Sequence, residues 1–109
     1  MDDLININKE IYEASKRLAK GPAELFALAR KNAEAERTYR KELAIEIMKL
    51  RLEGLPATLI MDIARGNCAD RKWARDLAEA EWIAGRDGLR SLQAQVSALQ
   101  TINKHQSEL

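Results

Sequence analysis

The sequence predicts an all-α chain built around a long antiparallel helical hairpin that packs like a coiled coil. Three observations support this: two long amphipathic segments, helix-stop signals between them, and matching stripes along both. The first stripe advances in steps of 4, 3, 4, 4, 4 and 3 and consists of Leu28, Asn32, Ala35, Tyr39, Leu43, Ile47 and Leu50. The second takes the same steps and consists of Leu77, Glu81, Ala84, Gly88, Leu92, Val96 and Leu99.

An antiparallel alignment of the stripes predicts the helix register. It pairs Leu28 with Leu99, Tyr39 with Gly88 and Leu50 with Leu77. A ring opposite a glycine is the large-to-small match that a helix interface needs. Leu28, Tyr39 and Leu50 are spaced by eleven residues, and this spacing indicates a straight or slightly right-handed helix pair. Two helices bury only a thin seam, so we expect oligomerisation into a helical bundle.

The first predicted element is an N-terminal amphipathic helix over residues 1–20. Ile7, Ile11, Ala14 and Leu18 share one face of it. Lys20, Gly21 and Pro22 form the expected break before the hairpin of residues 21–109. The pattern leaves open whether this helix packs on its own hairpin or swaps onto a neighbouring subunit.

The first hairpin helix is predicted over residues 21–53. Pro22 suits a first helical position, because its missing N–H would be unpaired there anyway. At the other end, Gly54 suits a left-handed C′ position, and Leu55 suits the hydrophobic contact of a Schellman motif. Pro56 then prevents continuation of the helix.

The connector, residues 54–69, is predicted to hold a short helix capped by Thr58 and ended by Gly66. It carries the apolar residues Leu59, Ile60, Met61 and Ile63. The favoured interpretation is that they plug the end of the hairpin. The alternative is an exposed surface on which a partner docks through Leu59, Ile60 and Ile63.

The last helix is predicted over residues 70–105, with Asn67 and Asp70 as a capping box. Gly85 and Gly88 favour close packing within an unbroken helix, and the alternative is a turn at residues 86–88. From Ser91 onward only Lys104 and Glu108 are charged. We therefore expect this part of the helix to be covered on several sides, by the first helix or by another subunit.

Composition limits the partners and the compartment. There are 18 basic and 17 acidic residues, so net charge favours neither a nucleic-acid nor a membrane partner. No apolar run is long enough to cross a membrane, and the acidic N-terminus does not resemble a signal peptide. One cysteine excludes an intrachain disulfide, and a cytoplasmic location is expected.

One cluster of basic residues is a candidate for binding anions or nucleic acid. Its members surround an aromatic residue and are Arg65, Arg71, Lys72, Trp73 and Arg75. Oligomerisation would multiply this modest patch. Asp62, Asp70 and Asp76 lie among them, so an ordinary solvated surface is the favoured interpretation.

Catalytic chemistry is not indicated. A continuous helix would separate Cys68 and His105 by about 55 Å, at 1.5 Å per residue. No histidine or cysteine spacing is typical of a zinc or di-iron site, and no Gly-rich phosphate loop is present. We therefore expect that the protein is not an enzyme and that it binds neither a metal nor a cofactor.

The helix punctuation between residues 32 and 106 resembles that of a loose group of small phage and prophage helical-hairpin proteins. The matching residues are Tyr39, Glu53, Gly54, Pro56, Asp62, Ala64, Gly66, Leu92, Leu99, Asn103 and Gln106. The resemblance implies a place beside phage recombination or replication proteins. The predicted function is a non-catalytic, self-associating protein-interaction module, and the alternative is an accessory nucleic-acid-binding protein.

Overall fold

The computed structural model describes residues 2–108, and these form three α-helices and no strand. Helix α1 is Asp2–Leu52, α2 is Ala57–Asn67 and α3 is Ala69–Ser107. The predicted all-α class is confirmed. The chain divides into a terminal unit, Met1–Ala27 with Ile83–Leu109, and a central unit, Leu28–Trp82. In each unit a part of α1 is grouped with a part of α3.

The predicted break at Gly21 and Pro22 is wrong, because α1 runs through both residues. A proline inside a helix removes one backbone hydrogen bond. Here Gly21 is buried, and its backbone lies so close to Leu89 that an added methyl group would overlap that side chain. Packing of the helix on both sides of Pro22 thus outweighs the local signal. The N-terminal segment is the beginning of α1, and it packs on α3 of its own chain.

The predicted stripe of α1 is confirmed over residues 28–50, because all seven of its members are buried or half-buried, including Leu28, Tyr39 and Leu50 at eleven-residue spacing. The predicted stripe of α3 is wrong at Leu77, Ala84 and Gly88, which are exposed.

From Leu4 to Tyr39 the spacing is that of heptads. Inward positions of α1 alternate steps of 3 and 4 from Leu4 to Tyr39. Their buried or half-buried members are Leu4, Ile7, Ile11, Ala14, Leu18, Gly21, Leu25, Leu28, Asn32, Ala35 and Tyr39. On α3 the same alternation gives Arg75, Ala78, Trp82, Gly85, Leu89, Leu92, Val96, Leu99 and Asn103. A seven-residue period is typical of left-handed coiled-coil packing.

The predicted register is also wrong, although the antiparallel direction is confirmed in the central unit. Lys31 contacts Glu81, whereas the predicted register would place Val96 opposite Lys31. Further contacts of α1 with α3 are Glu36 with Arg75 and Glu42 with Arg71, and Glu46 contacts Asn67 at the end of α2. Gly88 is exposed, and a Cβ added to it would have no neighbour within 4 Å. The Tyr39 ring therefore does not pack against Gly88.

The end of α1 forms the predicted Schellman motif. Gly54 has a φ of 80°, and its N–H donates to the Arg51 carbonyl at 3.1 Å. The Leu55 N–H donates to the Leu50 carbonyl at 3.3 Å, and the Leu55 side chain packs against the cluster that contains Leu50. These two bonds satisfy carbonyls that the helix end would leave unpaired.

Helix α2 covers the end of the central unit. Its Ile60 and Ala64 are buried with Leu50, and the surrounding apolar residues are Leu43, Ile47 and Leu55. The plug is therefore confirmed for Ile60. The predicted caps are wrong: α2 begins after Pro56, Thr58 lies inside the helix, and Gly66 does not end it.

Helices α2 and α3 meet at Cys68 with almost no interruption. The Cys68 N–H donates to the Ala64 carbonyl, and the Cys68 carbonyl accepts from Lys72, both at 3.0 Å. Asn67 does not cap α3, because it is the last residue of α2, and its Nδ2 donates to Glu46 Oε1 at 2.8 Å. Helix α3 is unbroken through Gly85 and Gly88, as predicted.

Candidate interaction surfaces

The predicted basic cluster lies at the start of α3 and at the end of α2. Most of its cations form ion pairs with carboxylates of the central unit. Arg71 Nε lies 2.9 Å from Glu42 Oε2, and Lys72 Nζ lies 2.9 Å from Asp76 Oδ2. Arg75 contacts Glu36 at 3.3 Å and Asp76 at 3.2 Å. Three cations thus meet three carboxylates, and the cluster carries little net charge.

Arg75 is the most enclosed of these cations, with a guanidinium carbon 5.0 Å from the Tyr39 ring centroid. Burial alone would lower the pKa of Arg75, but Glu36 and the hydrogen bond to Asp76 outweigh it and raise that pKa. The Lys72 hydrogen bond lowers the pKa of Asp76, despite partial desolvation. Both shifts favour the charged forms, and of these polar contacts only that of Arg75 with Glu36 joins α3 to α1.

Two members of the cluster remain available to a ligand. Arg65 is exposed and forms no ion pair with the part of the chain that the structure describes. The Trp73 side chain is 67% exposed. Exposed ion pairs contribute little stability, so a phosphate can compete for Arg71 and Lys72. The structure brings the predicted cations together but also shows why they are not a strongly basic patch.

The predicted docking residues of α2 divide between core and surface. Ile60 is buried, so its assignment to a docking surface is wrong. Leu59 and Ile63 are exposed, together with Met61. Because Ile60 and Ala64 are four residues apart, α2 turns that face inward and leaves its other apolar residues in solvent.

A second apolar surface lies at the end of α1, and sequence reasoning missed it. We define the α1 outer face as Ile45, Met48 and Leu52, spaced at i, i+3 and i+7. All three are exposed, and Leu52 is 86% exposed. Together with Ala44, Lys49 and Glu53 they form an open, largely apolar surface along this single helix. Their spacing in the sequence could have predicted this exposed face, because it places them on the side of α1 away from Leu43, Ile47 and Leu50.

The terminal unit has an exposed face that carries no charge. Residues 91–103 contain no charged side chain, yet only Leu92, Val96, Leu99 and Asn103 of them are buried or half-buried. Ala94, Ala98 and Ile102 are exposed. The expected covering on several sides is therefore not provided by this chain, whose α1 covers one face.

Of the residues considered as nucleophile or base, Cys68 is buried and His105 is exposed. Burial and the charges of Glu46 and Glu42 raise the pKa of the Cys68 thiol, which disfavours the nucleophilic thiolate. Glu42, Glu46 and Glu81 are held by Arg71, Asn67 and Lys31. Among residues 2–108 no three histidine, cysteine or carboxylate side chains form a group that suits a metal ion.

None of the helices described is both long and apolar enough to cross a membrane. Comparison with known proteins adds no assignment: no family model matches the chain, and no curated protein or solved structure is significantly similar to it.

Proposed function

We propose that this chain is a non-catalytic protein-interaction module that associates with further copies of itself through helix packing. The observation that supports this most is the uncharged, exposed face of α3 in the terminal unit. A helix face in permanent contact with water usually carries charged residues, whereas a face covered by another helix does not need them.

Light scattering coupled to size-exclusion chromatography tests this proposal. We expect a mass of at least twice 12.3 kDa at micromolar concentration. Ala98→Glu places a charge on the uncharged face and is expected to shift the mass toward the monomer. Arg90→Glu is the control, since that position already carries a solvated charge. A wild-type mass of 12.3 kDa at all concentrations contradicts the proposal.

A second candidate function is accessory binding of nucleic acid, supported by the exposed Trp73 and the unpaired Arg65. Stacking of a base on Trp73 and displacement of the surface ion pairs by phosphates would provide the contacts. Binding to labelled single-stranded DNA is then expected to weaken steeply with salt, and to fall in an Arg71→Ala, Lys72→Ala variant. Absence of binding at low salt excludes this function.

The resemblance to phage and prophage proteins adds a proposal about setting. Genes for DNA recombination or replication are expected beside the gene for this chain. A neighbourhood without phage genes removes this part of the proposal and leaves the interaction module standing.

A further inference from the structure

The end of α1 is apolar on two opposite sides. Leu43, Ile47 and Leu50 pack inward in the central unit, while the α1 outer face of Ile45, Met48 and Leu52 meets solvent. The outer three residues cover about 10 Å of helix at 1.5 Å per residue, with the spacing of a coiled-coil seam. The fold of the central unit does not need them, so their apolar character calls for another explanation.

The charges around the α1 outer face are mostly positive. Lys41, Lys49 and Arg51 are exposed, and none forms an ion pair with residues 2–108. The nearby acids are turned elsewhere, since Glu42 pairs with Arg71 and Glu46 accepts a hydrogen bond from Asn67. The remaining acid beside this face is Glu53. The α1 outer face is thus an apolar strip with three unpaired cations and one carboxylate beside it.

We propose that the α1 outer face binds an amphipathic helix of another protein whose apolar stripe is flanked by acidic residues. Such a helix would bury Ile45, Met48 and Leu52, and its carboxylates would meet Lys41, Lys49 and Arg51. A second copy of this face is the poorer occupant. Two copies would bring their lysines and arginines together with only Glu53 to compensate. The inference rests on the proposed role as an interaction module and names the chemistry of its partner.

A pair of designed peptides tests this inference on the full chain. Both are amphipathic helices with leucine at the seam, and their flanking positions carry glutamate in one and lysine in the other. We expect the glutamate peptide to bind at least about tenfold more tightly in fluorescence anisotropy, with affinity that falls as salt increases. Equal binding of both peptides, or binding of neither, overturns the inference.

Variants on the exposed surface locate the binding. Leu52→Glu is expected to weaken glutamate-peptide binding at least about tenfold, because it places a charge in the apolar strip. Lys49→Glu is expected to shift the preference toward the lysine peptide. Leu59→Glu is the control, because Leu59 is exposed on α2 and lies outside the α1 outer face. Equal losses in Leu52→Glu and Leu59→Glu contradict the assignment.

The mass of the wild-type chain separates this inference from the proposed self-association. A monomer that binds the glutamate peptide contradicts self-association and leaves the assignment of the α1 outer face intact. An oligomer that binds no peptide contradicts the assignment of this face alone. If the wild-type chain is an oligomer and the Leu52→Glu variant is a monomer, the face is a contact between copies and the inference is wrong.

Discussion

The guanidinium of Arg75 lies over the ring of Tyr39, with 5.0 Å between the guanidinium carbon and the ring centroid. Tyr39 is 8% exposed, and the same guanidinium contacts Glu36 at 3.3 Å. One side chain of α3 therefore joins a ring and a carboxylate of α1. This contact replaces the tyrosine–glycine pair that the stripe pattern predicts.

Removal of Arg75 is predicted to destabilise the fold more than removal of Arg40. Both arginines contact Glu36, but Arg40 is a neighbour on the same helix and is mostly exposed. Arg75→Ala is expected to lower the free energy of unfolding by about 1–2 kcal/mol, because it also loses the ring contact. Arg40→Ala is expected to cost about 0.5 kcal/mol. Urea unfolding followed by circular dichroism checks this, and equal losses would contradict it.

Two glycines within helices are predicted to respond oppositely to alanine. Gly88→Ala meets open space and is expected to stabilise the chain by about 1 kcal/mol, since alanine is the better helix former. Gly21→Ala would overlap the end of the Leu89 side chain. It is expected to lose this gain and to lie about 1–2 kcal/mol below Gly88→Ala. Thermal unfolding measures the difference in stability. An equal gain at both positions would contradict the close contact between Gly21 and Leu89.

The left-handed glycine at the end of α1 has its own matched control. Gly54 has a positive φ, so Gly54→Ala is expected to destabilise the chain by about 1 kcal/mol although space is open there. Gly66 lies inside α2 without a positive φ or a close neighbour. Gly66→Ala is therefore expected to be neutral or stabilising. A more stable Gly54→Ala variant would show that α1 does not end in a Schellman motif.

The Cys68 thiol is predicted to be unreactive in the folded chain. Its side chain is buried, and burial together with Glu46 and Glu42 raises its pKa above the ordinary value. At pH 8 the folded chain therefore holds little thiolate, and a disulfide reagent is expected to react only as fast as the chain opens. The reaction rate in increasing urea is expected to follow the unfolding transition. Complete reaction within mixing time in the absence of urea contradicts the burial.

The sequence predicts the helices better than it predicts how they fit together. The end of α1 is encoded locally, because Gly54, Leu55 and Pro56 satisfy the last carbonyls and stop the helix. Pro22 predicts a helix break that does not occur. The loss of one backbone hydrogen bond is outweighed by packing around Gly21, which depends on Leu89 of a distant segment. Stripes that repeat regularly look alike at several offsets. The register is instead indicated by complementary pairs such as Lys31 with Glu81 and Glu42 with Arg71.

The candidate surfaces divide in the same way. The basic cluster is visible in the sequence because its members lie close together, at the end of α2 and the start of α3. Its neutralisation is visible only in part: Asp76 belongs to the same stretch, whereas Glu36 and Glu42 come from α1. The α1 outer face is encoded in the spacing of Ile45, Met48 and Leu52, but its exposure depends on which side of α1 meets α2 and α3. Tertiary packing, rather than local propensity, decides which apolar residues remain in solvent.

The pairing of α1 with α3 in the central unit underlies both the neutralised cluster and the exposed α1 outer face. A zero-length carbodiimide reagent, which joins an amine to a carboxylate in direct contact, tests this pairing by mass spectrometry. Lys31 Nζ lies 3.0 Å from Glu81 Oε2, so an amide between them is expected. Mixing isotopically labelled and unlabelled chains shows whether the link forms within one chain. Lys72 and Asp76, at 2.9 Å on the same helix, give the positive control. Formation of the Lys31–Glu81 amide within one chain is the predicted result; a chain that links Lys72 to Asp76 but not Lys31 to Glu81 contradicts this packing.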